Sequence, residues 1–409
     1  MKYAVVLCDG MADYPVPELG GMTPLEVASH PAMDRLASNG LFGLTRTVPE
    51  GMQPGSDTAN LAVFGYDPKV YYSGRSPLEA ASIGVPLEDT DVTYRCNFVT
   101  LSGGGDSLGG AVMADYSAGE ITTEEAHALV AFLNDALADE NVRLYPGFSY
   151  RQCLVVKHGE TGALLTQPHD IPDQPVGDKL PRGTNGQLLN RWMQTAYRLL
   201  KTHPVNLARE QAGKRPANGI WFWGEGRKPR LTPFTEKTGL RGAVVSAVDL
   251  IQGIGICAGM RVLKVEGATG TFRTNFEGKT AAAIDALQNG CDYVYVHLEA
   301  PDECGHQHQV AEKVWSIEQI DSRVLSPLVD VLEESGEDYA VLVLPDHPTP
   351  LTVRTHVADP VPFALYRRGD AAGRSLTYTE AVAAETGVFL PHAYELIDIL
   401  RAQRGPEAR

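Results

Sequence analysis

No stretch of the 409-residue sequence approaches the roughly 20 consecutive apolar residues that cross a bilayer, so no membrane partner is expected. The apolar run at the start ends at Cys8, too short for a secretory signal and without a cleavage pattern. Cysteine is sparse, with six residues at 8, 96, 153, 257, 291 and 304 and no Cys-x-x-Cys pair. Without a secretory signal, reduced thiols and a cytoplasmic location follow. Positive charge is also short: 35 Lys and Arg stand against 51 Asp and Glu, a net charge of −16. That balance disfavours nucleic acid or an acidic membrane, because their phosphates need a basic surface. A small anionic substrate would need local Arg, Lys or metal charge. Internal repeats and low-complexity tracts are absent.

The chain is long enough for two domains. Lys2–Cys8 is a continuous apolar run closed by Asp9-Gly10, as a buried parallel strand followed by a loop would read. Residues 31–39 form a helix pattern stopped by Gly40. From Arg241 onward the elements alternate: strand over 243–246, helix over 248–257, strand over 261–265, helix over 277–289, strand over 293–298, a long amphipathic helix over 310–334, and strand over 339–344. Such alternation predicts a doubly wound α/β fold, a mostly parallel sheet with helices on both faces. The middle reads differently, with strands over 93–101 and 151–157 and helices over 122–138 and 185–201. It is expected to be a smaller α/β domain, residues 86–230, inserted into a core made of 1–85 and 231–409, with hinges near Val85 and Arg230. The Trp221-Phe222-Trp223 cluster reads as core.

Open α/β sheets bind ligands beyond the carboxyl ends of their strands. Four segments put metal-type side chains there or shortly beyond. Asp9 ends the first strand, Asp302 and His306 follow the strand over 293–298, Asp346-His347 follow that over 339–344, and His356 comes shortly after. Singly, each has an ordinary explanation: a turn at Asp9-Gly10, a helix cap at Asp302, a surface helix at His306, a proline-stiffened loop at Asp346-His347-Pro348. His308 reads as solvated. Together, three Asp and three His past three strands of one sheet point to a site for divalent metal. Mixed carboxylate and imidazole donors suit Zn²⁺, Mn²⁺ or Fe²⁺ better than Ca²⁺. Ser56 lies in Pro54-Gly55-Ser56-Asp57-Thr58-Ala59-Asn60-Leu61, before a short helical run over 61–64, and reads as an N-cap with amides facing a phosphate. Beside metal ligands, its hydroxyl becomes a candidate nucleophile.

The sequence resembles the 2,3-bisphosphoglycerate-independent phosphoglycerate mutases of the archaeal type, within the alkaline phosphatase superfamily. The resemblance spans nearly the whole chain. It rests on Asp9-Gly10-Met11, Gly21-Met22-Thr23-Pro24-Leu25-Glu26, Pro54-Gly55-Ser56-Asp57-Thr58-Ala59, Arg95-Cys96-Asn97-Phe98, Ala300-Pro301-Asp302-Glu303-Cys304-Gly305-His306 and Leu344-Pro345-Asp346-His347-Pro348-Thr349-Pro350. It implies two metal ions, one held by Asp302, His306 and His356, the other by Asp9, Ser56, Asp346 and His347. Manganese is the ion implied, with magnesium, cobalt or zinc as variants and no 2,3-bisphosphoglycerate. The implied reaction interconverts 3- and 2-phosphoglycerate through phosphoserine at Ser56, while an inserted domain retains the glycerate.

For that retention the candidates are Arg75, Arg95 with Asn97, Arg151, and His169-Asp170, since guanidinium groups pair with carboxylate and phosphate. Arg75 reads equally as a turn residue, and Arg151 as a strand-edge surface residue. One departure stands out: the longer bacterial mutases carry a lysine near the phosphate, and residues 246–249 offer none, so that cation stays unassigned. The alternative reading keeps the core and changes the acceptor alcohol, as in a homoserine kinase of threonine synthesis. A hydrolase, or a non-catalytic binding protein, lies further off.

Overall fold

The computed structural model describes residues 1–402. They divide into two units, one formed by Met1–Tyr72 and the chain from Arg230 onward, the other by Ser73–Pro229. The first boundary falls at Tyr72 and not near Val85. The reason is local packing: the Ser76–Ser82 helix lies on strands of the second unit, and Val85 clusters with Ala80, Cys153 and Val155.

The first unit is built on an eight-stranded sheet. Its order is Arg261–Leu263, Gly242–Val245, Tyr293–Leu298, Lys2–Cys8, Tyr339–Leu344, Val361–Arg367, Leu41–Thr45 and Phe389–Leu390. Neighbours run parallel except Val361–Arg367, which is antiparallel to both strands beside it. Lys2–Cys8 sits between two late strands, pairing Val6 with Val296 on one side and with Val343 on the other. Both its faces are buried, which is why its sequence is uniformly apolar. Ala4, Val6 and Cys8 pack with the Pro31–Asn39 and Phe276–Gln288 helices in one core. The opposite face meets the Ser56–Val63 and Asp249–Cys257 helices, with Phe64 stacked on Tyr295 and Gly255 against Val244.

The helix expected over 310–334 is interrupted. Val310–Ile320 and Ser326–Glu334 are joined by one wide turn, Asp321–Leu325. The turn carries Asp321, whose carboxylate accepts the Ala32 and Met33 amides and so caps the Pro31–Asn39 helix, which lacks a side-chain cap of its own. Nothing in the periodicity signals this, because the apolar stripe continues through the turn.

The second unit carries an antiparallel sheet centred on Val92–Gly103, which pairs with Ala111–Asp115, Arg151–Val156 and Gly219–Arg227, while Val142–Phe148 pairs with Arg151–Val156. The Thr123–Leu137 helix opens with a capping box between Thr122 and Glu125. It and the Gly186–Leu200 helix pack Leu129, Leu133, Trp192 and Met193 against the sheet, with Trp221 and Phe222 in the same core.

One buried pair ties the ligand-bearing loops of the first unit together. Lys313 Nζ donates to Asp13 Oδ2 at 2.6 Å and to the Thr349 carbonyl at 2.9 Å, with both charged side chains fully buried. Asp13 also accepts the Leu351 amide. Replacing one partner strands the other charge in a dry interior. Lys313→Met is therefore expected to cost about 3–5 kcal/mol in urea unfolding, read on a probe in the first unit. A loss below about 1 kcal/mol would show that the pair behaves as a solvated surface bridge.

Candidate functional site

The site in the first unit begins where Lys2–Cys8 ends. Asp9 is 1% exposed, and its amide bonds to the Leu298 carbonyl, continuing the ladder by one residue. Gly10 then turns with φ +62°, and a Cβ there would stand 2.6 Å from the Asp302 Cα and the Thr349 Oγ1. Glycine is required on both counts, so the Asp9-Gly10 turn is also what admits the neighbouring loops. The Gly10 amide donates to Asp346 Oδ1 at 3.1 Å.

Asp302 and His306 share one face of the Ala300–Gln307 helix, Asp302 Oδ2 lying 3.3 Å from His306 Nε2. Asp302 is not the cap; it is the third residue of the helix. Gly305 lets this helix approach the next loop, since a Cβ there would meet the Thr349 carbonyl at 2.4 Å. His356 Nε2 lies 3.4 Å from Asp302 Oδ1 and 2.9 Å from His306 Nε2. The other nitrogen of His306 lies 3.0 Å from the Arg354 carbonyl, to which it donates, so the ring is held with Nε2 facing Asp302 and His356.

Asp346 and His347 are both fully buried. Asp346 Oδ2 accepts from Asn60 Nδ2 at 2.8 Å, and Asn60 Oδ1 accepts from the Tyr295 hydroxyl at 2.6 Å. His347 Nδ1 lies 3.2 Å from Thr349 Oγ1, which donates on to Asp302. This chain orders the protons so that His347 Nε2 is the acceptor facing Ser56 Oγ at 3.2 Å. Nε2 also lies 3.7 Å from Asp9 Oδ1 and 3.3 Å from Asp346 Oδ2.

Ser56 is not the N-cap. Gly55 holds that position, and Ser56 is the first residue of a longer helix, Ser56–Val63. Within the first turn, Asp57 accepts the Thr58 amide and is itself held by the Tyr72 hydroxyl. Relieved of capping, the Ser56 hydroxyl is directed at His347.

The carboxylates are crowded. Burial, with Asp346, Asp302 and Glu299 beside it, pushes Asp9 well above the usual carboxylate range. Burial acts on Asp302 in the same direction, but hydrogen bonds from His306 and His356 win and hold it well below. His306 answers in kind: burial disfavours its charge, yet Asp302 raises it to about 9. Asp9 Oδ1 is buried with no hydrogen-bond partner among the described residues. These are the marks of donors that fit a cation: an orphaned buried oxygen, two inward imidazole nitrogens 2.9 Å apart, and mutually repelling carboxylates. Among the described residues three donor groupings lie within ligand range: Asp9 with Asp346 and His347, Asp302 with His347 and His356, and Asp9 with Glu299 and Asp302. His347 stands in two of them.

Several of these residues escaped the sequence reading. His297 lies inside the Tyr293–Leu298 strand, where a histidine reads as core; its Nε2 is 3.0 Å from Asp9 Oδ2 and its Nδ1 is 3.3 Å from Ser246 Oγ. Burial drives its basicity down to about 3, so it is a neutral orienting partner for Asp9. Asn60 carried no signal beyond its place in a helix. Lys279, 1% exposed, is a further buried group beside His297: it donates to the His297 carbonyl at 3.0 Å and is lowered to about 8 by burial. A lysine on the apolar face of a helix was the available clue. His308 is partly exposed, as expected, but its ring also bridges the Leu351 carbonyl at 2.8 Å and Glu18 at 3.2 Å.

In the second unit, Arg75, Arg95, Arg151 and His169 gather around Glu79 and Trp223. Burial disfavours the Glu79 carboxylate, but Arg95, Arg75 and Arg151 hold it below its usual range. Arg151 is exposed, its guanidinium 5.5 Å from the Tyr150 ring. The His169 ring packs edge-on to Trp223 and Tyr116, and burial lowers its basicity, with Arg95 and Arg75 adding to the effect. Asn97 joins through Trp223, whose Nε1 donates to its Oδ1 at 2.9 Å. Asp170 stands apart, its side chain 61% exposed and 3.9 Å from His169.

Comparison with known proteins identifies the family. A family model described as 2,3-bisphosphoglycerate-independent phosphoglycerate mutase matches residues 37–206. A Methanosarcina acetivorans protein of that name is 49% identical over 403 residues, covering 98% of this chain and 99% of the relative. A Geobacter sulfurreducens protein, named a probable enzyme of the same kind, is 47% identical, with 98% and 99% covered. Among solved structures, the PH0037 protein of Pyrococcus horikoshii superposes with a TM-score of 0.80 at 28% identity, covering 99% of this chain and 98% of that one. The cofactor-independent phosphoglycerate mutase of Thermoplasma acidophilum gives 0.64 at 27% identity, with 98% and 99% covered. Similarity at this level over the full length leaves one assignment: the chain belongs to the 2,3-bisphosphoglycerate-independent phosphoglycerate mutase family.

Proposed function

We propose that this protein is an isomerase that interconverts 3-phosphoglycerate and 2-phosphoglycerate through a phosphoserine at Ser56, without added 2,3-bisphosphoglycerate. The observation that carries the reading is the approach of His347 Nε2 to Ser56 Oγ at 3.2 Å beside a buried carboxylate and imidazole cluster. Asp302, His306 and His356 would hold one divalent cation, and Asp9, Ser56, Asp346 and His347 the other, with manganese the first candidate and magnesium, cobalt or zinc as variants. When bound, the cations supply Lewis acidity that draws charge from the phosphoryl group and favours the ionised serine.

The remaining chemistry belongs to the chain. Ser56 Oγ loses its proton and forms a bond to phosphorus as the bond to the glycerate 3-oxygen breaks, and that oxygen takes up one proton, so the count is unchanged. In the second half the glycerate 2-hydroxyl attacks the phosphoserine, loses its proton and releases Ser56. Glycerate must stay bound and water be excluded between the halves, or hydrolysis results. Arg75, Arg95, Asn97, Arg151 and His169 of the second unit are the proposed holders of glycerate, with His169, a depressed imidazole, suited to carry the proton. Asp170, exposed and apart from His169, is the least supported of the expected contacts. Among the described residues no helix is long and apolar enough to cross a membrane.

The test is a coupled assay. Purified protein with Mn²⁺ and 3-phosphoglycerate should yield 2-phosphoglycerate, followed through enolase, and a chelator should abolish the turnover until metal is restored. No turnover at full metal content would sink the assignment. Ser56→Ala is expected to lower kcat by about 10⁴-fold or more and to remove phosphoenzyme trapped by acid quench. His297→Ala, which frees the Asp9 carboxylate to rotate, should weaken divalent-cation affinity by about 10–100-fold in calorimetric titration. Unchanged affinity would mean that His297 is only core.

A further inference from the structure

The second unit holds a cluster built around one carboxylate that the sequence reading did not single out. Glu79 Oε1 accepts from Arg75 Nε at 2.9 Å, and Glu79 Oε2 lies 2.7 Å from Arg95 Nε. Each oxygen thus serves a different arginine, and each arginine is gripped on its Nε side. The Arg95 contact is close but off-axis, so its buried Nε makes an ion pair and no hydrogen bond. Its side chain is only 8% exposed.

One face of the Arg95 guanidinium lies 3.9 Å over the Trp223 ring. That ring is itself anchored, donating to Asn97, which in turn donates to the Tyr116 carbonyl at 3.0 Å. A guanidinium has five donors, and here burial brings its pKa down to about 10. Stacking and one ionic contact fix its plane but leave its hydrogen-bonding capacity to be met. A planar, two-oxygen anion is the partner that such a fork matches. Three guanidinium groups against one carboxylate leave the cluster positive even with Glu79 ionised.

We propose that Glu79 is a positioning residue which, with Trp223, presets Arg95 and Arg75 as a clamp for the carboxylate of a small hydroxy acid. The clamp also selects against amino acids, because the Glu79 carboxylate, its side chain 18% exposed, is already committed to two guanidinium groups and is not free to pair with an ammonium. The inference rests on the phosphoglycerate reading for the identity of the hydroxy acid. It goes beyond that reading by assigning the geometry of retention to a group that carries the wrong charge for the substrate.

A negative residue in an anion site has two explanations with opposite consequences. As a mere counter-charge, its removal tightens every anion alike. As a positioning group, its removal lets two like charges drift apart, and a ligand must then order them at its own expense. The experiment titrates the full-length protein in Mg²⁺ calorimetrically with 3-phosphoglycerate, with sulfate, and with L-homoserine. Glu79→Gln is expected to weaken 3-phosphoglycerate at least tenfold while sulfate binds as well or better. Glu79→Asp should recover part of the loss, and L-homoserine should not compete in any of these proteins.

Joint tightening of both anions, or no change in either, overturns the proposal, as does effective competition by homoserine. If Glu79→Gln fails to fold, Trp223→Leu must produce the same split, and wild-type binding by that variant overturns the proposal as well. Turnover separates this inference from the function it rests on. A protein that binds 3-phosphoglycerate through Glu79 yet never isomerises it sinks the mutase reading alone. An active mutase whose Glu79→Gln and Trp223→Leu variants keep the wild-type KM sinks the clamp alone.

Discussion

Repulsion among buried carboxylates is the constraint around which the first unit is arranged. Asp9, Asp302 and Asp346 are all nearly or fully out of water, with Glu299 close by. Such a group is unfavourable without compensating positive charge. The chain supplies little of it: His306 beside Asp302, amides from Gly10 and His347, and the Asn60 side chain. Lys313, the fully buried lysine in these loops, is spent on Asp13. The arrangement is therefore built for charge that comes from outside the chain, and its partners orient the donors without satisfying them.

Much of this could be read from sequence because the fold converts strand ends into ligand positions. Strands over 2–8, 293–298 and 339–344 are continuous apolar runs, and continuous runs mean strands buried on both faces. The residues that follow them fall at one edge of one sheet. What could not be read were groups whose partners are distant in the chain. His297 and Asn60 sit inside elements whose patterns account for them as core, and only the tertiary pairing of His297 with Asp9 and Asn60 with Asp346 reveals their second role. Ser56 failed in a different way. A serine before a helix is the usual cap, and only the backbone shows that Gly55 takes that place. The division between metals is less sharp in the structure than the resemblance implied, since His347 lies within reach of both donor sets.

The second unit was legible in its helices and less so in its sheet. Gly219–Arg227 carries two tryptophans and a phenylalanine in a row, which reads as core without showing that the strand pairs along most of Val92–Gly103. The boundary near Val85 was misplaced for a related reason. Ser76–Ser82 is a short helix whose allegiance is decided by Leu78 and Ala80, buried with the second unit, and not by composition. Arg75 and Glu79 belong with it, which is how an ion pair at the start of the unit reaches Arg95 on its central strand.

The place of Lys2–Cys8 in the sheet has a consequence for how the protein is made. Both neighbours of this first strand, Tyr293–Leu298 and Tyr339–Leu344, come from the last third of the chain. During synthesis from the N-terminus the strand emerges with its hydrogen-bonding edges and apolar faces unmatched, while the Ser73–Pro229 unit can complete its own antiparallel sheet. Domains fold as units in the order they appear, and long-range parallel pairing is slow. In this chain the inserted unit becomes native while the core that flanks it is still waiting for its other half. The central strand, with Asp9 at its end, is thus the segment most in need of shielding on the ribosome.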